Sequence, residues 1–165
     1  MYGGGYFRGT AALGGISLAS VADFDGFVVK LTDAGSSGSF TWAQRAGGPV
    51  YDETSVLSAS GSALYAAGSF SGTGAAFGAT TLNSLGFTDL FVARLTDVGN
   101  GASTLWAQQA GGSGSDYARA ITLTSTGTTY VGGTTVPPAI FGSQAANGRP
   151  IVKSGFSPRL PTPRV

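Results

Sequence analysis

The chain repeats itself. Residues Asp25 to Gly35 (DGFVVKLTDAG) return as Asp89 to Gly99 (DLFVARLTDVG), a step of 64 from 25 to 89. The same step carries Trp42-Ala43-Gln44-Arg45-Ala46-Gly47-Gly48 onto Trp106-Ala107-Gln108-Gln109-Ala110-Gly111-Gly112, and Asp52 onto Asp116. A third motif, Tyr followed three residues later by Gly, occurs at Tyr2/Gly5, Tyr65/Gly68 and Tyr130/Gly133, with steps of 63 and 65 that place one-residue slips in loops. A register held over so many positions reduces the fold to one unit and its copies.

Each unit reads as four short strands. The first follows Asp52 or Asp116 (Thr54 to Ala59; Ala118 to Leu123), and the second holds the Tyr-x-x-Gly motif (Ala63 to Phe70; Thr128 to Thr134). The third alternates Phe27, Val29, Leu31 against Val28, Lys30, and Phe91, Ala93, Leu95 against Val92, Arg94; the fourth carries the Trp and ends at Gly-Gly. Period-two alternation of aromatic and β-branched residues between Gly and Asp is the pattern of strands, and the 28 Gly and 10% charged residues leave few good helix formers to oppose it. A unit with two apolar faces needs like neighbours on both sides, which is the logic of repeat proteins, and four antiparallel strands per repeat suit a propeller blade.

The phrases WAQQAGGSGSDYARAITL (106–123), LYAAGSFSGTGAAFG (64–78) and DLFVARLTDVG (89–99) are similar to the bacterial seven-bladed β-propeller repeat, the SBBP repeat, over about residues 2 to 142. The resemblance implies a secreted or cell-surface bacterial protein in which the propeller is a scaffold or binding module within a longer chain, and it carries no catalytic residues over.

The expected fold is therefore all-β: an incomplete β-propeller of about two four-stranded antiparallel blades. Residues 1–142 form the repeat segment (partial blade 1–48, full blade 49–112, partial blade 113–142), and 143–165 form an irregular, basic, Pro-containing tail. After Phe141-Gly142 the expected third strand is replaced by Ile151-Val152-Lys153 and a Pro- and Arg-rich end. Propellers close with about 4 to 8 blades, more than 165 residues supply at 64 per unit, so the chain is expected not to close a ring alone. A gene fragment, a reading frame broken near Asn147 and a small unit assembling into a ring all fit.

The absence of Cys and His removes thiolate chemistry, the usual general base and the commonest metal ligand. Arg149, Lys153, Arg159 and Arg164 gather four of the nine basic residues near the end, leaving five basic against eight acidic residues up to Gly148, so no nucleic-acid footprint is expected there. Met1 to Gly5 carries no signal-peptide pattern, and no apolar run approaches the length of a membrane span.

Asp25, Asp89, Asp52 and Asp116 recur, so each is expected to accept backbone N–H groups in a turn; the alternatives are calcium ligation or a carboxylate pair of glycosidase type. Asp23-Phe24-Asp25-Gly26 has Asp-x-Asp spacing, but its copy Phe87-Thr88-Asp89-Leu90 loses the first Asp. Gly111-Gly112-Ser113-Gly114-Ser115-Asp116 fits the G-G-x-G-x-D calcium pattern, while its counterpart Gly47-Gly48-Pro49-Val50-Tyr51-Asp52 does not. Gly3-Gly4-Gly5 and Gly72-Thr73-Gly74 read as tight packing and strand ends rather than phosphate loops. Trp42 and Trp106, at one repeat position, read as packing between blades before sugar stacking. Pro158-Arg159-Leu160-Pro161 has P-x-x-P spacing in a tail.

The expected function is a non-catalytic structural or binding segment, with no catalytic, cofactor or metal residues and no cofactor. Its partners would be the remaining blades of a longer propeller, other copies of itself, or a protein or glycan ligand. The alternatives are a fragment of a propeller-type carbohydrate-active enzyme and a self-assembling ring subunit. The enzyme reading needs acids outside the repeat, and Glu53 is the only Glu while Asp23 is the only Asp without a counterpart in the neighbouring unit.

Overall fold

The computed structural model describes residues 1–142 and the strand at 144–146, and it is all-β with antiparallel pairing between its strands. In chain order the strands are β1 (Tyr2–Leu13), β2 (Ile16–Asp33), β3 (Gly38–Ala46), β4 (Asp52–Ser60), β5 (Ala63–Phe70), β6 (Thr73–Phe77), β7 (Thr80–Asn83), β8 (Asp89–Asp97), β9 (Ala102–Gly112), β10 (Tyr117–Leu123), β11 (Thr129–Thr134), β12 (Ala139–Phe141) and β13 (Gln144–Ala146). No sheet among the described residues closes on itself.

The central unit is a four-stranded meander, β4-β5-β8-β9, each strand pairing with the next. The preceding unit supplies the last three positions as β1-β2-β3, and the following unit supplies the first two as β10-β11. The register repeats with the sequence. Lys30 lies opposite Trp42 and Arg94 opposite Trp106, and in both pairs the alignment slips at the next residue, Leu31 or Leu95.

Two features depart from the sequence reading. A hairpin, β6-β7, stands between the second and third strands of the central unit, in addition to the four strands read from the sequence. Its turn glycine Gly78 has φ +62, and Gly14 (φ +57) and Gly142 (φ +60) sit at the matching points of the other units. In the first unit the hairpin arms are continuous with their strands, which is why β1 and β2 are long. In the third, β12-β13 pairs against β9 through Ile140 and Gly111, as Ala76 bridges to Gly47 in the second. The sheet containing β4, β5, β8 and β9 therefore has six strands rather than four. Pairing also continues through Gln144–Ala146, inside the segment expected to be irregular; residues 147–165, with Pro158-Arg159-Leu160-Pro161, lie outside the described residues.

The Tyr-x-x-Gly motif has a steric cause. Between Thr54 and Val56 of the first strand the pairing slips by one, and this brings the Glu53 carbonyl against Gly68. A Cβ there would lie 1.9 Å from that oxygen, and at Gly133 a Cβ would lie 2.1 Å from the Tyr117 carbonyl. Only glycine lets the bulged backbone come so close.

Alternation along β8 builds both cores. Phe91, Ala93 and Leu95 pack on one side with Val28 and Trp42 of the first unit and Phe77 of the hairpin. Leu90 and Val92 face the other way, onto Ala118 and Val131 of the third unit. The central sheet is buried on both faces, so its strands read as nearly continuous apolar runs.

Candidate functional site

The four recurring aspartates are buried and brace turns. Asp52 Oδ2 accepts the Gly48 N–H at 2.6 Å and Oδ1 the Ser71 N–H at 3.3 Å; Asp116 accepts from Gly112 at 2.9 Å and Val136 at 2.8 Å. Asp25 Oδ2 accepts from the Val21 N–H at 3.1 Å, and Asp89 Oδ2 from that of Leu85 at 3.0 Å. The G-G-x-G-x-D segment thus closes on itself through Gly112 and Asp116, as Gly48 and Asp52 do without the motif. Among the described residues no group of three or more acidic side chains is placed to hold a metal ion.

The two turns differ in charge. Arg45 Nη1 stands 2.6 Å from Asp25 Oδ2, whereas Gln109, its counterpart, reaches Asp89 Oδ2 only at 3.4 Å. Burial pushes the Asp89 carboxyl up to about 6, and the neighbouring Asp116 charge adds to the rise. Burial likewise pushes Asp52 up to about 6, against the N–H groups of Gly48 and Ser71 that favour its ionised form.

A second arrangement lies between the first and second units. Tyr2, Lys30 and Trp42 sit directly across three adjacent strands on one face of the first sheet. All three donate to Asp97 at the end of β8: Tyr2 Oη at 2.6 Å, Lys30 Nζ at 2.6 Å and Trp42 Nε1 at 3.1 Å. The Gly99 N–H, at 2.9 Å from Oδ1, holds the carboxylate in an Asx turn. The lysine and tyrosine hold the Asp97 carboxyl well below the usual range, and donation to that carboxylate raises the Tyr2 phenol to about 12. Sequence reasoning placed Trp42 between repeats but missed the acceptor; the signal was a basic residue on an otherwise apolar strand face, at Lys30 and again at Arg94.

The same three positions recur in the central unit as Tyr65, Arg94 and Trp106, again directly opposite one another. The rings of Tyr65 and Trp106 lie 6.2 Å apart, as those of Tyr2 and Trp42 lie 6.0 Å apart. Here Arg94 Nε and Trp106 Nε1 are buried with no hydrogen-bond partner among the described residues.

The residues outside the repeat gather at a third place. Phe24 and Tyr51 immediately precede the turn-bracing Asp25 and Asp52, and with Tyr6 their rings form a triangle with centroids 5.5 to 5.7 Å apart. Arg8 lies over Phe24 and pairs with Asp23 at 3.6 Å, and Tyr51 Oη donates to Glu53 Oε2 at 2.8 Å. The two acids without repeat counterparts thus flank one aromatic cluster, with Tyr6 about half exposed. At the equivalent points the central unit has Thr88 and Ser115 in a plain backbone bridge. A shared frame of buried aspartates therefore presents different residues in different units.

Compared with known proteins, the chain matches no protein-family model and no curated protein.

Proposed function

We propose that this chain is a non-catalytic segment of a repeat-built β-propeller, acting as scaffold and binding surface in a larger secreted or cell-surface bacterial protein. The observation that carries the reading is the Asp97 node. A carboxylate of one unit satisfies the Tyr, Lys and Trp of the unit before it, and those three donors recur one unit on at steps of 63, 64 and 64. Such a unit stacks head to tail, each sheet covering the next, and a constant small rotation between repeats closes a ring. The similarity of the three quoted phrases to the SBBP repeat adds the bacterial surface setting.

The working surface is the cluster of Tyr6, Phe24 and Tyr51 with Asp23 and Glu53. Aromatic rings beside carboxylates suit the apolar face and hydroxyl rim of a glycan, or a basic protein loop. No catalytic role is assigned to the acids, because Arg8 pairs with Asp23 while Tyr51 and Ser55 occupy both oxygens of Glu53. A glycan array tests this surface: retained sugars should be lost in Tyr6→Ala and Tyr51→Ala without loss of fold.

The architecture is tested by tandem copies of residues 49–112. Seven copies should give closed discs in electron micrographs. An open rod or superhelix that simply lengthens with copy number would refute the propeller reading.

A further inference from the structure

The first strands of successive units keep their buried positions and change the positions between them. Asp52 and Thr54 are buried in the second unit, as Asp116 and Ala118 are in the third. The alternating, outward positions are Glu53 and Ser55 in the second unit but Tyr117 and Arg119 one offset of 64 later. Packing therefore does not dictate these four side chains, and they join Tyr6, Phe24 and Tyr51 among the departures from the repeat.

Tyr117 carries the aromatic cluster into the third unit. Strand β4 packs against β10, with Val56 and Ala118 in one core. Tyr51, just ahead of β4, has Tyr6 and Phe24 of the first unit on one side and Tyr117 of the third on the other. Burial raises the Tyr51 phenol above its ordinary value, its bond to Glu53 adds to the rise, and the Tyr6 and Tyr117 phenols both contribute. Each end of the row carries an arginine on a ring: Arg8 stands 5.6 Å from the Phe24 centroid and Arg119 stands 4.9 Å from that of Tyr117.

Charge decides what such a row can hold. Arg8 and Arg119 balance Asp23 and Glu53. A basic peptide would find Asp23 already held by Arg8 and both oxygens of Glu53 already taken by Tyr51 and Ser55, and it would meet Arg119 as a like charge. A polyanion would meet the two carboxylates. A neutral, hydroxyl-rich chain meets neither penalty: its hydroxyls can give to the remaining carboxylate lone pairs and accept from the guanidinium N–H groups, while its C–H faces lie on the rings.

We infer that the row from Phe24 through Tyr51 to Tyr117 binds a neutral glycan as an extended chain laid across three successive units. The inference rests on the binding surface proposed above, from which it selects the glycan, and it adds the third unit to that surface.

Its test is calorimetric titration of the full chain with cello-, xylo- and malto-oligosaccharides from disaccharide to hexasaccharide, with hexagalacturonate as the anionic comparator and a lysine-rich peptide as the basic one. At least one neutral series should bind saturably, its affinity rising about tenfold from disaccharide to hexasaccharide as a further ring is engaged. Tyr117→Ala should abolish that rise and leave the disaccharide affinity unchanged, and Tyr117→Phe, which keeps the ring, should restore it. Glu53→Gln, which leaves the row net positive, should favour hexagalacturonate over its binding to the parent chain. Affinity independent of chain length, no effect of Tyr117→Ala, or tighter binding of hexagalacturonate or the lysine-rich peptide than of every neutral sugar overturns the inference. The surface proposed above has a separate readout: if sugars bind equally at all lengths and are lost in Tyr6→Ala and Tyr51→Ala, that surface stands and only its extension falls, whereas binding of neither sugars nor peptide removes both.

Discussion

Trp42 donates its indole N–H to Asp97 Oδ1 at 3.1 Å, so a residue of one repeat completes the hydrogen bonding of another 55 positions away. Lys30 and Tyr2 converge on the same carboxylate, whose side chain is only 8% exposed. Removing it leaves three donors, one of them charged, facing a partly buried hole. Asp97→Ala should lower stability in urea by about 2–4 kcal/mol. Asp33→Ala, at the matching position but exposed, should change it by less than about 1 kcal/mol.

The exchange of Arg45 for Gln109 between units predicts opposite effects of opposite swaps. Gln109→Arg gives Asp89 the cation that Asp25 already has and should stabilise the chain at neutral pH by about 1–2 kcal/mol. Arg45→Gln should cost at least as much, since it strands a fully buried carboxylate. Urea midpoints of both variants at pH 7 check the pair.

The buried carboxyls also set the pH profile. Asp52 and Asp89 rise from an ordinary 3.8 to about 6, so each holds its proton more tightly in the folded chain. Their contribution is complete below pH 3.8 and is lost as pH rises through 6. Asp97 is shifted the other way, so its contribution is present above 3.8 and is lost as pH falls below that value. The melting temperature should therefore be highest near pH 4, falling toward pH 7 and toward pH 2. Asp89→Asn should flatten the slope between pH 4 and 6, and a melting temperature that climbs steadily from pH 4 to 7 would contradict this assignment.

Gly68→Ala forces a methyl group into the Glu53 carbonyl and should cost about 3 kcal/mol or more. Gly101→Ala, whose nearest neighbour is the Val98 side chain at 3.9 Å, should cost far less. Thermal melts of the two variants separate close packing from mere loss of flexibility.

What the sequence made legible was periodic. Strand β5 begins and ends at Ala63 and Phe70 as read, because its apolar run is bounded by Gly61 and Gly72, and β8 follows its alternation from Asp89 to Asp97. The hairpin β6-β7 escaped notice because Thr73–Phe77 and Thr80–Asn83 are too short and too rich in Gly, Ala and Thr to show a period. The turn-bracing role of Asp52 and Asp116 could be read from their position after Gly-Gly, since that contact is local. The Asp97 node could not, because its donors come from three strands of another unit. Tyr6, Phe24 and Tyr51 lie where the offset of 64 breaks down, and a search for departures from the repeat, rather than for its matches, singles out such positions.

The central claim is that equivalent units shield one another's apolar faces, with the central sheet covered on both sides and its neighbours less fully. Amide hydrogen exchange along the chain tests it directly. The slowest amides should lie in β5 and β8, between Leu64 and Phe70 and between Leu90 and Leu95, with β11, which among the described residues pairs on one side alone, exchanging faster. Equal or stronger protection in β11 than in β5 and β8 would contradict the account.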